Sequence, residues 1–173
     1  GRGELLDVLT RAGKNAIGVD TNATVIERCK AKNLEVVQSD FIEYVCQQPP
    51  NALAAVTGIH IVEHLPFPVL LHLLKQAYRA LASNGIAIFE TPNPENLQTA
   101  TVGFYLDPSH YHPIPPNLLV LAAEFSGFSR VEVLRLHPVR TPDLNAITDK
   151  QEIKDILYRF DMEQDYAIIA YKT

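Results

Sequence analysis

The sequence predicts an α/β fold: a mostly parallel sheet with helices on both faces and one antiparallel strand near the edge. Three observations carry that expectation. Short apolar runs alternate along the chain with longer amphipathic segments, the pattern of βαβ units. Capping and stop residues fall between them at helix-length intervals. The last two strand-like runs, 130–136 and 166–171, flank a long connection, which suits one antiparallel partner. With 173 residues, 47% hydrophobic and 20% charged, the chain has the size of one domain with a real core and is too apolar for disorder.

Residues 4–12 (ELLDVLTRA) place apolar side chains at 5, 6, 8, 9 and 12, one helix face, and Gly13 supplies a stop. Ala16–Asp20 reads as a short strand ending in an acid. Asn22 can cap a helix through about Lys32, with Val25, Ile26 and Cys29 on one face. Leu34–Val37 is a second strand, and Ser39-Asp40 end it. Asp40 can cap a short helix, Phe41–Gln47, before Pro49-Pro50. Leu53–Ile59 has the character of a buried strand, and Pro68 fits the first turn of a long helix to Leu81. Asn84-Gly85 then turns the chain into a strand, Ile86–Glu90. Thr91–Pro116 is rich in Pro, Asn and His, lacks a sustained period and is longer than a usual connection, which suits a functional lid. A helix (Leu118–Ser126), Gly127 and a strand (Arg130–Leu136) follow. Thr148 with Gln151 resembles a capping box at the start of one more helix, and Tyr166–Tyr171 is the closing strand. No internal repeat is present.

The 15 basic and 20 acidic residues leave a net charge of −5, which argues against a bulk electrostatic grip on nucleic acid. Cys29 and Cys46 have no metal-ligand or redox-motif spacing and read as reduced thiols of a cytoplasmic protein. No apolar run reaches membrane-span length, and no signal-peptide pattern opens the chain.

In sheets of this kind, ligands bind at the carboxyl ends of the strands. Gly1 and Gly3 before a helix offer bare backbone N–H groups at a positive helix end. Asp20 ends the next strand, where a carboxylate can accept from both hydroxyls of a ribose. Asp40 can accept from an exocyclic adenine amine while Phe41 or Ile42 walls the ring; the same acid equally serves as a plain helix cap. Together the glycines and acids favour a nucleotide-type cofactor. His60-Ile61-Val62-Glu63-His64 also matches the H-x-x-E-H pattern of inverzincin zinc proteases. That chemistry needs one continuous helix, which Gly58, Pro66 and Pro68 oppose. The other reading sets this segment at the end of the fourth strand, beside the cofactor, with no metal.

The segments GRGE (1–4), GVD (18–20) with Asn22, SDF (39–41), HIVEHLP (60–66) and ETPNPEN (90–96) stand in the order and spacing of one family. On them the chain resembles class I S-adenosylmethionine-dependent methyltransferases, which are Rossmann-like. YLDPSHYHP (105–113) and GFSRVEVLRLHP (127–138) are similar to a subgroup found in polysaccharide and O-antigen biosynthesis. The resemblance implies S-adenosylmethionine as cofactor and a small-molecule or glycan hydroxyl as acceptor. It assigns Gly1, Gly3, Asp20, Asn22, Ser39, Asp40, Phe41, His60 and Ile61 to the cofactor, and Glu63, His64 and His110 to the acceptor side. His110 is the preferred base and His64 the second choice. Two further expectations come with it: Thr91–Pro116 covers the cofactor groove, and His60 and His64 do not converge on a metal. The family also has a central strand and one more glycine before Gly1, so the chain is expected to be an N-terminally truncated domain. A cofactor-free binding module and a dinucleotide-dependent oxidoreductase are the readings from other classes.

Overall fold

The computed structural model describes residues 2–138 and 144–173, and the chain divides into two compact units, residues 1–48 and 49–173.

The first unit runs α1 (Glu4–Arg11), β1 (Gly18–Asp20), α2 (Ala23–Ala31), β2 (Val36–Gln38) and α3 (Phe41–Gln47). β1 and β2 pair in parallel, with Gly18 opposite Val36 and Asp20 opposite Gln38. Both strands are shorter than the apolar runs 16–20 and 34–37 suggest. Ala16 and Leu34 lie outside the ladder and fill the core with Leu6 and Cys29, so apolar character there marks packing rather than pairing. Helix starts follow the polar caps. The Asn22 side chain accepts from the amides of Thr24 and Val25, and Asp40 accepts from Ile42 and Glu43. Gly3 caps α1 at φ +81°, a left-handed conformation that suits glycine. A Cβ there would also lie 2.9 Å from both Cys29 Sγ and Leu34 Cδ1.

The second unit holds a four-stranded sheet in the order β3 (Leu53–Ile59), β4 (Leu81–Pro92), β6 (Asp165–Tyr171), β5 (Arg130–Leu136). β3 and β4 are parallel, while β6 runs antiparallel to both β4 and β5. The expected single antiparallel strand is therefore β6, next to the edge. α4 (Phe67–Ala80) starts behind Pro66 with Pro68 in its first turn and buries Leu70, Leu73, Leu74, Ala77 and Ala80, one stripe at helical spacing. At about 1.5–3 kcal/mol per fully buried leucine, this stripe is a main anchor of the unit. α6 (Pro116–Phe125) packs on α4, β5 and β6.

Two expectations change. Asn84-Gly85 does not separate helix from strand: β4 is already in register with β3 at Leu81, and residues 82–85 form an irregularity with Asn84 at φ +64°. The Thr148–Gln151 capping box does not form. Thr148 Oγ1 accepts from the Lys150 amide, and α8 (Gln151–Asp161), which follows α7 (Leu144–Ile147), begins behind Lys150 without a side-chain cap. The 91–116 segment is packed along much of its length, through α5 (Leu97–Thr101) and the buried side chains of Asn93, Asn96, Phe104 and Ile114. Asn96 Nδ2 donates to Met162 O at 2.6 Å, Asn93 Nδ2 donates to Glu163 O at 2.9 Å, and the Tyr166 hydroxyl donates to Ile114 O at 2.8 Å.

Candidate functional site

In the first unit the acids gather at the carboxyl end of the two-stranded sheet. Asp20 is the last residue of β1, and its carbonyl accepts from the Ser39 amide at 3.2 Å, which brings Asp20, Ser39 and Asp40 to one end. Asp20 Oδ1 accepts from the Asn22 amide at 2.8 Å. Asn22 and Asp40 both serve as helix caps, the structural role weighed against a ligand role for Asp40. Ser39 Oγ donates to Asp40 O, and Phe41 opens α3 half-buried. Gly3 sits at the α1 N-terminus; Gly1 lies outside the described residues. Two carboxylates at adjacent parallel strand ends are acceptors of the kind that ribose hydroxyls and an adenine amine require, so the residues present fit a nucleoside-bearing cofactor.

In the second unit the chemistry lies where β3 and β4 end. His60 follows β3 at φ +52°, a left-handed conformation costly for a residue with a Cβ, and its amide donates to Glu90 O at 3.0 Å. Its Nδ1 is 3.0 Å from Glu63 Oε1, and its Nε2 is 3.7 Å from Glu90 and 3.8 Å from Asp165. The hydrogen bond to Glu63 chiefly raises the His60 pKa above its ordinary value; burial opposes it, and the three carboxylates add to it. Glu63 is 0% exposed. Burial pushes its carboxyl upward, but hydrogen bonds from His60, a backbone amide and Thr91 outweigh burial and hold it below the usual range. The Thr91 hydroxyl donates to Glu63 Oε2 at 2.9 Å.

The H-x-x-E-H segment is not a helix. Only Val62–His64 form one 3-10 turn, bounded by Ile61 at φ −127° and by extended Leu65 ahead of Pro66. His60 therefore turns to Glu63, Glu90 and Asp165, whereas His64 turns to Ser109 and His110, so the pair lacks the geometry of the zinc-protease motif.

His64 and His110 meet edge to face with ring centroids 4.8 Å apart. Their hydrogen bonds define their tautomers. His110 Nδ1 is 2.7 Å from Phe104 O, an acceptor only, so Nδ1 carries the hydrogen and Nε2 the lone pair. Ser109 Oγ gives its own proton to Asp107 at 2.6 Å, so His64 Nδ1 donates to Ser109 O and Oγ and again leaves Nε2 basic. Asp107 Oδ2 lies 3.9 Å from His110 Nε2, placed to steady an imidazolium. The serine hydroxyl and amide hold Asp107 below the usual carboxylate range. Sequence reasoning singled out Glu63, His64 and His110 and the strand end from Thr91 onward, but not Asp107, Ser109 or Asp165. Thr91 stands inside the quoted ETPNPEN segment and Asp107 with Ser109 inside YLDPSHYHP, but nothing in the spacing of Asp165 ties it to His60.

These features define an α/β protein with polar and ionisable side chains gathered at the carboxyl ends of its strands. A family model described as a methyltransferase domain matches residues 1–133. A crystal structure of a SAM-dependent methyltransferase from Archaeoglobus fulgidus is 33% identical, with a TM-score of 0.86 over 99% of this chain and 82% of that one. The chain belongs to the methyltransferase domain family, and the expectation of an S-adenosylmethionine-dependent methyltransferase is borne out at that level. Two more distant structures show the fold alone. An S-adenosylmethionine-dependent methyltransferase from Mesorhizobium loti has 16% identity and a TM-score of 0.70 over 99% of this chain and 87% of that chain. Geranyl diphosphate C-methyltransferase from Streptomyces coelicolor, solved with S-adenosyl-L-homocysteine, has 16% identity and a TM-score of 0.70 over 100% and 70%. No protein of curated function matches the chain. Among the described residues, no helix is long and apolar enough to cross a membrane.

Proposed function

We propose that the protein transfers the methyl group of S-adenosylmethionine to a hydroxyl of a small-molecule or glycan acceptor. The observation that carries the acceptor half is His110: its Nδ1 hydrogen is committed to Phe104 O at 2.7 Å, which leaves Nε2 as a base, and Asp107 stands 3.9 Å from that atom. Neutral histidine suits proton removal near pH 7. The bound cofactor supplies an electrophilic methyl on a sulfonium. With the cofactor bound, His110 Nε2 would take the proton of the acceptor hydroxyl, with His64 and Glu63 in the same cluster.

For the cofactor, the proposed holding residues are those the family resemblance assigns: Gly1, Gly3, Asp20, Asn22, Ser39, Asp40, Phe41, His60 and Ile61. In this reading the two units act as one methyltransferase domain, which the family match across residues 1–133 supports. The polysaccharide subgroup, and with it a sugar acceptor, is supported by the 105–113 and 127–138 segments. Exposed Tyr105 and Tyr111 rings near His110 in sequence offer faces on which a sugar can pack. A cytoplasmic location belongs to the same reading, supported by the buried thiol of Cys29.

Two variants separate the halves. Asp20→Ala should weaken S-adenosylhomocysteine binding at least tenfold. His110→Ala should lower kcat about 100-fold, within the usual range for a lost general base, with cofactor affinity unchanged. Equal turnover in His110→Ala would remove His110 from the reaction, and unchanged cofactor affinity in Asp20→Ala would remove Asp20 from the cofactor site.

A further inference from the structure

In the second unit His110 shares a cluster of polar side chains with Glu63, His64 and Asp107. Nε2 of His110 and Nε2 of His64 both carry lone pairs in the tautomers their partners impose, Glu63 is a fully buried carboxylate, and Asp107 Oδ2 lies 3.9 Å from the His110 nitrogen. One ligand atom each from Glu63, His64 and His110 can be chosen so that all lie within 4.8 Å of one another.

We infer that Glu63, His64 and His110 bind one divalent transition-metal cation, Glu63 through a carboxylate oxygen and each histidine through Nε2. The inference rests on the proposed function insofar as these three residues face the acceptor. Four features support it. Each imidazole hands its Nδ1 hydrogen to a backbone carbonyl, Phe104 O for His110 and Ser109 O for His64, the outer-shell bond that orients metal-bound histidines. The carboxylate is oriented in the same manner, by His60 on one oxygen and Thr91 on the other. Two imidazoles and one carboxylate suit Zn²⁺, Co²⁺, Mn²⁺ or Fe²⁺, whereas Mg²⁺ and Ca²⁺ favour all-oxygen shells. One ligand atom per residue already lies within 4.8 Å of the others, and ligand bonds of roughly 2.0–2.2 Å need them to draw closer around the cation. A second set, His60 with Glu90 and Asp165, meets the same distance limit, but His60 already stands among those carboxylates as their counter-charge.

Three protein ligands leave coordination positions open. A hydroxyl bound there would have its pKa lowered by the cation and would release its proton to water. Proton transfer to His110 Nε2 is then the route of the metal-free protein only.

The test is titration of the EDTA-treated protein with Co²⁺, read by visible absorption, with Zn²⁺ displacement and a Mg²⁺ control. One equivalent of Co²⁺ should bind and give way to Zn²⁺, and millimolar Mg²⁺ should not compete. His64→Ala and His110→Ala should each weaken Co²⁺ binding more than tenfold. In the unmutated protein, Zn²⁺ should move the ¹⁵N resonances of His64 and His110 Nε2, a readout that does not depend on how the variants fold. Equal Co²⁺ affinity in all three proteins, or Zn²⁺ shifts confined to other histidines, would overturn the inference. S-adenosylhomocysteine binding, measured in the same samples, separates the two claims. Retained cofactor binding without metal binding sinks the metal site alone, and metal binding without cofactor binding sinks the methyltransferase reading alone.

Discussion

Replacing Thr91 with valine deletes one hydroxyl from a buried position and keeps the side-chain shape. Thr91 is 0% exposed, and its hydroxyl gives the 2.9 Å hydrogen bond to Glu63 Oε2. Glu63 is also fully buried and anionic, so the substitution leaves a buried carboxylate oxygen without that donor. A hydrogen bond to a charged group contributes about 1.5–3 kcal/mol. The Thr91→Val protein should be less stable by about that amount in urea denaturation at pH 7. For a chain of this length that corresponds to a melting temperature lowered by roughly 3–12 °C. A double-mutant cycle isolates the pair: in a Glu63→Gln background, Thr91→Val should cost at least about 1 kcal/mol less, because the charge that made the bond strong is gone. A loss below about 0.5 kcal/mol in the native background, or the same loss in both backgrounds, would refute the account of Glu63 as an anion fixed by Thr91.

Gly3→Ala should destabilise the protein by about 1 kcal/mol or more, since Gly3 has φ +81° and an added Cβ would stand 2.9 Å from both Cys29 Sγ and Leu34 Cδ1; calorimetric melting checks this. Tyr166→Phe should cost about 0.5–1.5 kcal/mol by removing the buried hydrogen bond to Ile114 O, read from the denaturation midpoint at neutral pH. The same residue sets an alkaline limit. Burial first, then the charges of Glu63 and Glu95, push the Tyr166 phenol far above its ordinary value, so above about pH 10 the unfolded chain releases a proton that the folded one keeps. Stability should then fall by about 1.4 kcal/mol per pH unit from this group, and Tyr166→Phe should remove that slope. An unchanged slope in the variant would show that Tyr166 does not titrate on unfolding.

Local chemistry made much of the fold legible. Asn22 and Asp40 cap the helices their sequence positions suggest, because a short polar side chain ahead of an apolar stripe has few other places to satisfy amide groups. Pro68 likewise announces α4, whose first turn it occupies. Strand limits were less legible, since Ala16 and Leu34 are apolar for packing and not for pairing. The Thr148 motif misled because its hydroxyl bonds to the Lys150 amide two residues on, and α8 starts only afterwards. At the candidate site, motif order drew attention to Glu63, His64 and His110. The direction of each ring nitrogen was not readable, because it depends on contacts made after folding: Ser109 with His64, Phe104 O with His110, and Asp165 with His60.

The central claim is that this family member works on S-adenosylmethionine, and a calorimetric titration of the protein with S-adenosylhomocysteine and, separately, with NAD tests it most directly. The account predicts saturable, one-to-one binding of S-adenosylhomocysteine that Asp20→Ala weakens at least tenfold, and no saturable heat with NAD. Saturable NAD binding together with no response to S-adenosylhomocysteine would contradict it.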